Sequence, residues 1–118
     1  MPRRHFSFQS CSLSEVPAHE GVGAVRTCRV LGEDAGRRFN FIDMTEIPPG
    51  NSVGLHTHDA GDEEVYVIIS GKGRMHVDGE EFDVGPGDAI LNVAGGTHGL
   101  INTGTEPLRM VVLDVAPT

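Results

Sequence analysis

Residues 56–73 read HTHDAGDEEVYVIISGKG. Two histidines separated by one residue are followed by an acidic loop, an apolar run and two glycines. Such a stretch is compatible with an ordinary edge hairpin that has a polar lead-in, and equally with most of a metal site. The spacing bears on the choice, because residues i and i+2 of a β-strand project from the same face. On a strand His56 and His58 would therefore be able to reach one ion, whereas a helix would point them apart.

The whole chain has the pattern of short β-strands joined by turns. Its 16 glycines and 7 prolines interrupt runs rich in β-branched and aromatic residues, and no segment keeps a helical period for more than a turn or two. Asp78-Gly79 lies between two such runs and is a strong signal for a two-residue hairpin. The pattern predicts an all-β antiparallel sandwich or barrel. The predicted strands cover residues 24–31, 38–47, 52–58, 63–70, 73–78, 81–84, 88–93, 98–102 and 107–116.

The length of the chain indicates one domain. A sequence of 118 residues has the usual size of a single folded unit. We predict one domain over residues 1–118, with its core at about 24–116 and residues 1–23 as an N-terminal extension. Cys11 and Cys28 are predicted to be free thiols, because neither a secretory signal nor a CxxC spacing accompanies them.

The charge of the chain argues against two classes of partner. Nine Lys and Arg against 17 Asp and Glu give a formal net charge of −8, and the acidic residues are spread along the sequence. Nucleic acids and anionic membranes both favour clustered positive charge, so we expect neither as a partner. No run approaches the roughly 20 apolar residues of a membrane span, and the N-terminus lacks the apolar run of a signal peptide. We therefore expect a soluble, cytoplasmic protein.

Further donors elsewhere in the chain complete a possible metal site. Glu63 or Glu64 begins the strand after the histidine pair, where an antiparallel neighbour brings Cβ atoms to about 5 Å. His98 stands at a strand start in the glycine-flanked segment GGTHGLIN. Three imidazoles and one carboxylate suit a divalent transition metal ion such as Mn, Fe, Ni, Cu or Zn, and leave positions open for water or substrate. Any one of these histidines alone is more often an ordinary surface residue, so the order and spacing of the set carry the prediction.

Two segments resemble the two motifs of the cupin family. Together they span about residues 50–102, and both motifs occur in the family's order. The resemblance implies a double-stranded β-helix of the jelly-roll type. It implies that His56, His58, Glu64 and His98 are the metal ligands and that the role of Asn102 is more structural. The residues that carry the resemblance are Gly50, His56, His58, Glu64 and Gly71 in the first motif and Gly87, Asp88, Gly95, His98 and Asn102 in the second.

The sequence departs from the family's pattern at two places. The family usually has three or four residues between the second histidine and the glutamate, whereas Glu64 leaves five and Glu63 leaves four. Only Glu64 keeps the six-residue spacing to Gly71, and a loop absorbs an extra residue more easily than a paired strand does. We therefore predict Glu64 as the ligand, with Glu63 as its substitute. The second motif lacks its usual proline, since residues 93–95 read VAG.

Three other side chains are candidates for contact with a substrate. Tyr66 shares a strand face with the predicted carboxylate ligand, although a tyrosine in this position is more often part of the core. Arg74 and His76 share one face of the predicted hairpin, and would contact a substrate if that face lines the barrel. The remaining histidines, His5 and His19, receive no functional role.

The strand predicted at 63–70 is apolar on both faces. Val65, Val67 and Ile69 lie on one side, and Tyr66 and Ile68 on the other. One face would line the barrel and the other would meet a second layer or a partner subunit. This pattern predicts a homodimer.

The resemblance to cupins leaves the reaction open, because one fold carries many chemistries. The first hypothesis is a metal-dependent enzyme acting on a small chelating, oxygen-rich metabolite such as a keto acid, sugar acid or enediol. The reaction would be of the isomerase, lyase (decarboxylase) or dioxygenase type, and metal-centred, because the sequence has no triad-like serine or nucleotide-binding loop. The alternative is a non-catalytic barrel that binds a small molecule or a metal, and a metal-free barrel is the third reading.

Overall fold

The computed structural model describes residues 5–32 and 38–116. Residues 1–4, 33–37 and 117–118 of the predicted domain lie outside this part. The described residues form ten β-strands, which confirms the predicted all-β class, and they contain no helix long and apolar enough to cross a membrane. The strands are β1 (Ser14–Pro17), β2 (Ala24–Leu31), β3 (Phe39–Ile47), β4 (Ser52–Thr57), β5 (Glu63–Ser70), β6 (Gly73–Val77), β7 (Glu80–Val84), β8 (Ala89–Asn92), β9 (Thr97–Asn102) and β10 (Leu108–Val115).

The strands form two antiparallel sheets. The larger sheet has the order β1-β2-β3-β10-β5-β8, and the smaller has the order β4-β9-β6-β7. Because β10 lies between β3 and β5, and β9 between β4 and β6, most pairings join segments that are distant in sequence. This is the jelly-roll arrangement of a double-stranded β-helix, as the motifs implied.

The nine predicted strands all occur, and their ends differ from the prediction by at most one residue. The structure adds β1, which pairs with β2 from Ser14 opposite Thr27 to Pro17 opposite Ala24. This strand is short, polar and ends in proline, so the sequence shows no alternation that would reveal it. Its position at the edge of the larger sheet is one where a proline is tolerated, because no further strand requires its missing N–H.

The core lies between the two sheets, and β5 shows how the sequence builds it. Tyr66 and Ile68 face the interior and are 3% and 1% exposed, whereas Ile69 on the other face is 48% exposed. Burying an apolar side chain of this size stabilises the fold by about 1.5–3 kcal/mol. The fully buried apolar side chains of the core are Ile47, Ile68, Met75, Leu100, Leu108 and Met110.

Two turns depend on residues that tolerate a positive φ. Asp78 and Gly79 have φ values of 49° and 85° and connect β6 to β7, which confirms the predicted hairpin. Gly71 has a φ of 88°, and a Cβ there would lie 2.6 Å from the Cα of Leu108. Both features fix the register of the strands that follow.

Asn102 links the end of β9 to two other segments. Its side-chain amide donates hydrogen bonds to the carbonyl oxygens of Ile47 and Glu106, each at 2.8 Å, and its Oδ1 accepts one from the N–H of Gly104 at 2.9 Å. The side chain is 1% exposed. Its amide therefore replaces water as the partner of backbone groups where β3 ends and where the turn before β10 lies.

Replacing Asn102 by alanine is expected to lower the free energy of unfolding by about 2–4 kcal/mol, because it leaves buried backbone groups without partners. Urea denaturation followed by circular dichroism measures this change. Thr103→Ala, at the exposed neighbouring position, is the control and is expected to shift stability by less than about 0.5 kcal/mol. Equal urea midpoints for the two variants would contradict the role assigned to Asn102.

Candidate metal centre

Pairing of β4 with β9 places His56 opposite His98. His58 lies two residues beyond His56, and its backbone N–H donates to the carbonyl of Gly96 at 2.9 Å, which holds it beside the start of β9. The ring centroids of His56 and His98 are 4.3 Å apart, and those of His58 and His98 are 4.6 Å apart. The predicted same-face arrangement of the histidine pair is therefore realised, and the third predicted histidine joins it.

Glu64 reaches two of the three imidazoles, those of His58 and His98, from the opposite sheet. Its Oε1 lies 3.2 Å from Nε2 of His98 and 3.5 Å from Nε2 of His58, and the Nε2 atoms of His56 and His58 are 3.1 Å apart. Ligands bound at about 2.1 Å to one ion lie about 3 Å from each other, so these separations fit a metal ion. Glu63 precedes Glu64 on β5 and projects from the other face.

Hydrogen bonds fix which nitrogen of His56 and of His58 faces the centre. Nδ1 of His56 donates to the carbonyl of Gly54 at 2.7 Å, and Nδ1 of His58 donates to Oδ2 of Asp62 at 3.1 Å. In the neutral rings both Nε2 atoms therefore carry lone pairs. Two lone pairs directed at each other beside a carboxylate repel unless a proton or a metal ion lies between them, and outer hydrogen bonds of this kind are the usual support of metal-binding histidines.

Burial shifts the pKa values of His56 and Tyr66 so that both side chains stay neutral near pH 7. Burial, and then the neighbouring imidazoles, lowers the pKa of His56 to about 4. Burial and the nearby Glu64 carboxylate raise the pKa of Tyr66 well above its usual value, so its hydroxyl stays protonated. The Tyr66 ring packs edge-on against His98 with centroids 5.5 Å apart. A neutral imidazole is the form that binds a metal ion.

The structure brings some of the predicted substrate contacts to the centre and leaves others away from it. Tyr66 lies beside His98 in the interior. Arg74 pairs with Asp83 at 3.0 Å and His76 with Glu81 at 2.7 Å, both across the β6–β7 hairpin. Their strand turns its buried face, which carries Met75, toward the core, so Arg74 and His76 lie on the outer face.

His19 contacts the centre although the sequence analysis gave it no role. Its ring stacks on that of His56 with a centroid separation of 3.4 Å and an angle of 8°. Its φ of 52° is unusual for a residue other than glycine and marks local strain, which often occurs at functional sites. The nitrogens that converge within 4.8 Å of one another belong to His56, His58 and His98 and not to His19, so His19 covers the cluster without joining it.

Close packing against β4 holds His19 in place. The N–H of Gly54 donates to the carbonyl of Ala18 at 2.9 Å, and a Cβ at position 54 would lie 2.0 Å from the carbonyl oxygen of His19. A second bond joins the N–H of Ser52 to the carbonyl of Val22 at 2.8 Å. The two glycines of the segment PAHEGVG were the only signal in the sequence, and they do not reveal which strand the segment approaches.

A cavity of about 400 Å³ adjoins the centre on the inner face of the larger sheet. Its lining includes His19, Glu64 and Tyr66, with the hydroxyl-bearing Thr27 and Thr45 further along. The wall is mainly apolar and carries a few polar groups, as small-molecule sites usually are. The cavity has room for a small ligand next to the carboxylate.

Two acidic residues outside the predicted set also lie at the centre. Asp62 shares a hydrogen bond with Asp114 and accepts another from His58. These two hydrogen bonds lower the pKa of Asp62. Burial, and then the neighbouring carboxylates of Asp62 and Glu64, raises the pKa of Asp114 to about 7. Asp114 is 1% exposed and stands opposite Glu64 in the β10–β5 pairing.

Comparison with known proteins agrees with this architecture. Residues 43–115 match the family of cupin domains, and the chain belongs to the cupin family. The oxalate-binding protein of Thermotoga maritima is 32% identical over 94 residues, which are 79% of this chain and 77% of that protein. The tetracenomycin polyketide synthase protein TcmJ of Streptomyces glaucescens is 31% identical over 104 residues, which are 88% of this chain and 68% of that protein.

A solved structure resembles almost the whole chain. The crystal structure of a protein described as a predicted oxalate decarboxylase from Thermotoga maritima superimposes with a TM-score of 0.90 at 26% identity, and the match covers 97% of this chain and 100% of the other. Cupins commonly bind divalent metal ions, and the histidine cluster of this chain has the donors for one. The relatives agree in the fold and differ in the activities that their names describe.

Two shifted pKa values should give opposite pH dependences to metal-free protein. His56 titrates near 6.5 when unfolded and near 4 when folded, so between these values the unfolded state binds more protons and acidification destabilises the fold. Asp114 titrates near 3.8 unfolded and near 7 folded, so acidification over that range stabilises it. The variant Asp114→Asn keeps His56, and the variant His56→Gln keeps Asp114. When the pH is lowered from 7 to 4, the thermal midpoint of Asp114→Asn should therefore fall further than that of His56→Gln. Parallel curves for the two variants in differential scanning calorimetry would contradict these assignments.

Proposed function

We propose that this protein binds one divalent transition metal ion through His56, His58, Glu64 and His98 and uses the ion's open coordination positions to hold a small bidentate oxygen ligand of the oxalate class. The observation that carries the proposal is the inward direction of the Nε2 lone pairs of His56 and His58 beside the buried carboxylate of Glu64. This arrangement is unfavourable without a cation and favourable with one. Mn, Fe, Ni, Cu and Zn are all compatible with three imidazoles and one carboxylate.

The cavity beside Glu64 supports the choice of ligand. Its volume of about 400 Å³ accommodates a small chelator and leaves little room for a polymer or a nucleotide. The bound ion would supply the positive charge that a dianion needs in a protein with a formal charge of −8. Tyr66, whose hydroxyl stays protonated, lines the same cavity, and its hydrogen bond to Glu64 would orient that carboxylate toward the ion. The name of the oxalate-binding relative supports the same ligand class.

His98→Ala is expected to weaken Mn²⁺ binding by about 100-fold or more and to abolish oxalate binding, because it removes the most deeply buried imidazole of the set. Isothermal titration calorimetry with Mn²⁺, and then with oxalate on the metal-loaded protein, measures both effects. His76→Ala is the matched control, since its imidazole lies on the outer face with Glu81. Unchanged Mn²⁺ affinity in His98→Ala would reject the site, and oxalate binding to metal-free protein would reject the role of the ion.

A metal-dependent enzyme is the second candidate, and His19 is the observation that favours it. An imidazole stacked on His56 and lining the ligand cavity is a polar group that a site used only for binding does not require.

To test for catalysis, the metal-loaded protein is incubated with oxalate and with small keto acids, and the products are followed by NMR. Product formation that His19→Gln abolishes without loss of oxalate affinity would support catalysis. Stoichiometric binding without product supports the binding function.

We further propose that the outer face of the larger sheet forms a homodimer interface. Cross-strand pairing aligns Leu91, Val65 and Leu113 in one row on this face, and Leu91 and Ile69 are 54% and 48% exposed. Contiguous exposed apolar side chains of this kind mark protein interfaces.

The cytoplasmic location predicted from the sequence stays a prediction.

Leu91→Asp is expected to convert the dimer to a monomer, because it places a charge within an apolar contact surface. Size-exclusion chromatography with light scattering measures the mass of the particle in solution. Leu55→Asp is the matched control, because Leu55 is 63% exposed on a strand of the smaller sheet. A monomeric wild-type protein would contradict the interface.

A further inference from the structure

The N-terminal segment before β1 lies on the outer face of the larger sheet. The guanidinium of Arg109 on β10 lies 5.5 Å from the ring centroid of Phe8. Cys11 then reaches Cys28 on β2, and the two side chains share a hydrogen bond. Both residues are partly buried free thiols. The segment therefore brings its one thiol into contact with the only other thiol of the chain.

We propose that Cys11 and Cys28 form a reversible disulfide that fastens the N-terminal segment to β2 and holds His19 on the histidine cluster. The bond would close a loop from residue 11 to residue 28, which contains β1 and the residues that dock on β4. The disulfide would act on the attachment of this segment, whatever ion or ligand the cluster binds.

The surrounding structure holds the two sulfur atoms together. The β1–β2 pairing ends with Ser14 opposite Thr27, the residue next to Cys28. A turn before β1 positions Cys11, because its N–H donates to the carbonyl of Ser7 at 3.1 Å. Thiols in contact on neighbouring segments become a disulfide with little movement of the backbone.

A small oxidant has access to the two thiols. A surface cavity of about 340 Å³ is lined by both cysteines. Burial, and then the neighbouring Cys28, raises the pKa of the Cys11 thiol. Because the thiolate is the reactive form, oxidation should be faster at pH 8.5 than at pH 7.

Thiol–disulfide exchange with oxidised glutathione supplies the oxidation. One protein thiolate attacks a glutathione sulfur, so that a mixed disulfide forms and one glutathione leaves. The second protein thiolate attacks the protein sulfur of the mixed disulfide and releases the second glutathione. The protein loses two electrons and two protons, and oxidised glutathione becomes two glutathione thiols. In a reducing compartment the reverse exchange restores both protein thiols.

The disulfide changes the state in which the segment leaves the sheets. In the reduced protein the segment is joined covalently to the sheets only at β2, so it can separate from β4 while the rest of the fold stays intact. Separation breaks the hydrogen bonds from the N–H of Gly54 to the carbonyl of Ala18 and from the N–H of Ser52 to the carbonyl of Val22. The disulfide turns the separated segment into a closed loop with less conformational entropy, so separation becomes rarer.

The experiment compares the reduced and the oxidised protein. Oxidised glutathione at pH 8.5 is expected to remove both thiols of the wild-type chain and to lower its mass by about 2 Da, with no glutathione attached. Hydrogen exchange followed by NMR should then be slower by about tenfold or more at the N–H groups of Gly54 and Ser52. The N–H of Gly87, which bonds to the carbonyl of Ile68 in the turn before β8, should exchange at an unchanged rate. Dithiothreitol should restore the original rates.

Cys28→Ser is the control, because it keeps Cys11 and lacks the second thiol, and Cys11→Ser is a second control that leaves β2 unchanged. Each variant should gain one glutathione and keep the exchange rate of the reduced protein at Gly54. A wild-type chain that gains glutathione at both cysteines overturns the disulfide. A disulfide that leaves exchange at Gly54 unchanged overturns its role in holding the His19 segment. Neither measurement requires a bound ion, so loss of metal binding would reject the proposed function and leave the disulfide standing.

Discussion

Donor atoms held about 3 Å apart inside a barrel repel one another unless a positive charge lies among them, and this constraint shapes the centre of the molecule. His56 and His98 come from the smaller sheet, His58 follows β4 directly, and Glu64 comes from the larger sheet, with its Oε1 3.2 Å from Nε2 of His98. The donors meet only because the two sheets face each other. An ion bound here would tie the sheets together at the point where like charges would otherwise push them apart, so metal binding and folding would be thermodynamically linked.

The fold was largely predictable because its signals are local. Alternation, glycine turns and the Asp78-Gly79 hairpin located nine strands, and the spacing of the histidines placed three imidazoles on inward positions. The choice of Glu64 over Glu63 also follows from a local rule, since a shift of one residue reverses the face to which every side chain of a strand points. The strand β1 escaped prediction because its four residues carry no alternation.

The residues that the sequence did not reveal are those whose role depends on long-range pairing. His19 reaches His56 only through the docking of its segment on β4, and Asp114 faces Glu64 only through the β10–β5 register. The face that the β6–β7 hairpin turns toward the core is another feature that the sequence did not reveal. Arg74 and His76 share a strand face, but the partners that decide whether that face is inner or outer, Asp83 and Glu81, belong to the next strand.

The contact between Gly54 and the segment at 18–21 has a consequence for how such a protein can vary. A side chain at position 54 would occupy the place of the His19 carbonyl, so a larger residue there requires a different path for a segment more than thirty positions earlier in the chain. Homologous sequences that replace this glycine should therefore differ at His19 as well. Correlated replacement of the two positions would be the evolutionary trace of a steric contact between backbone atoms.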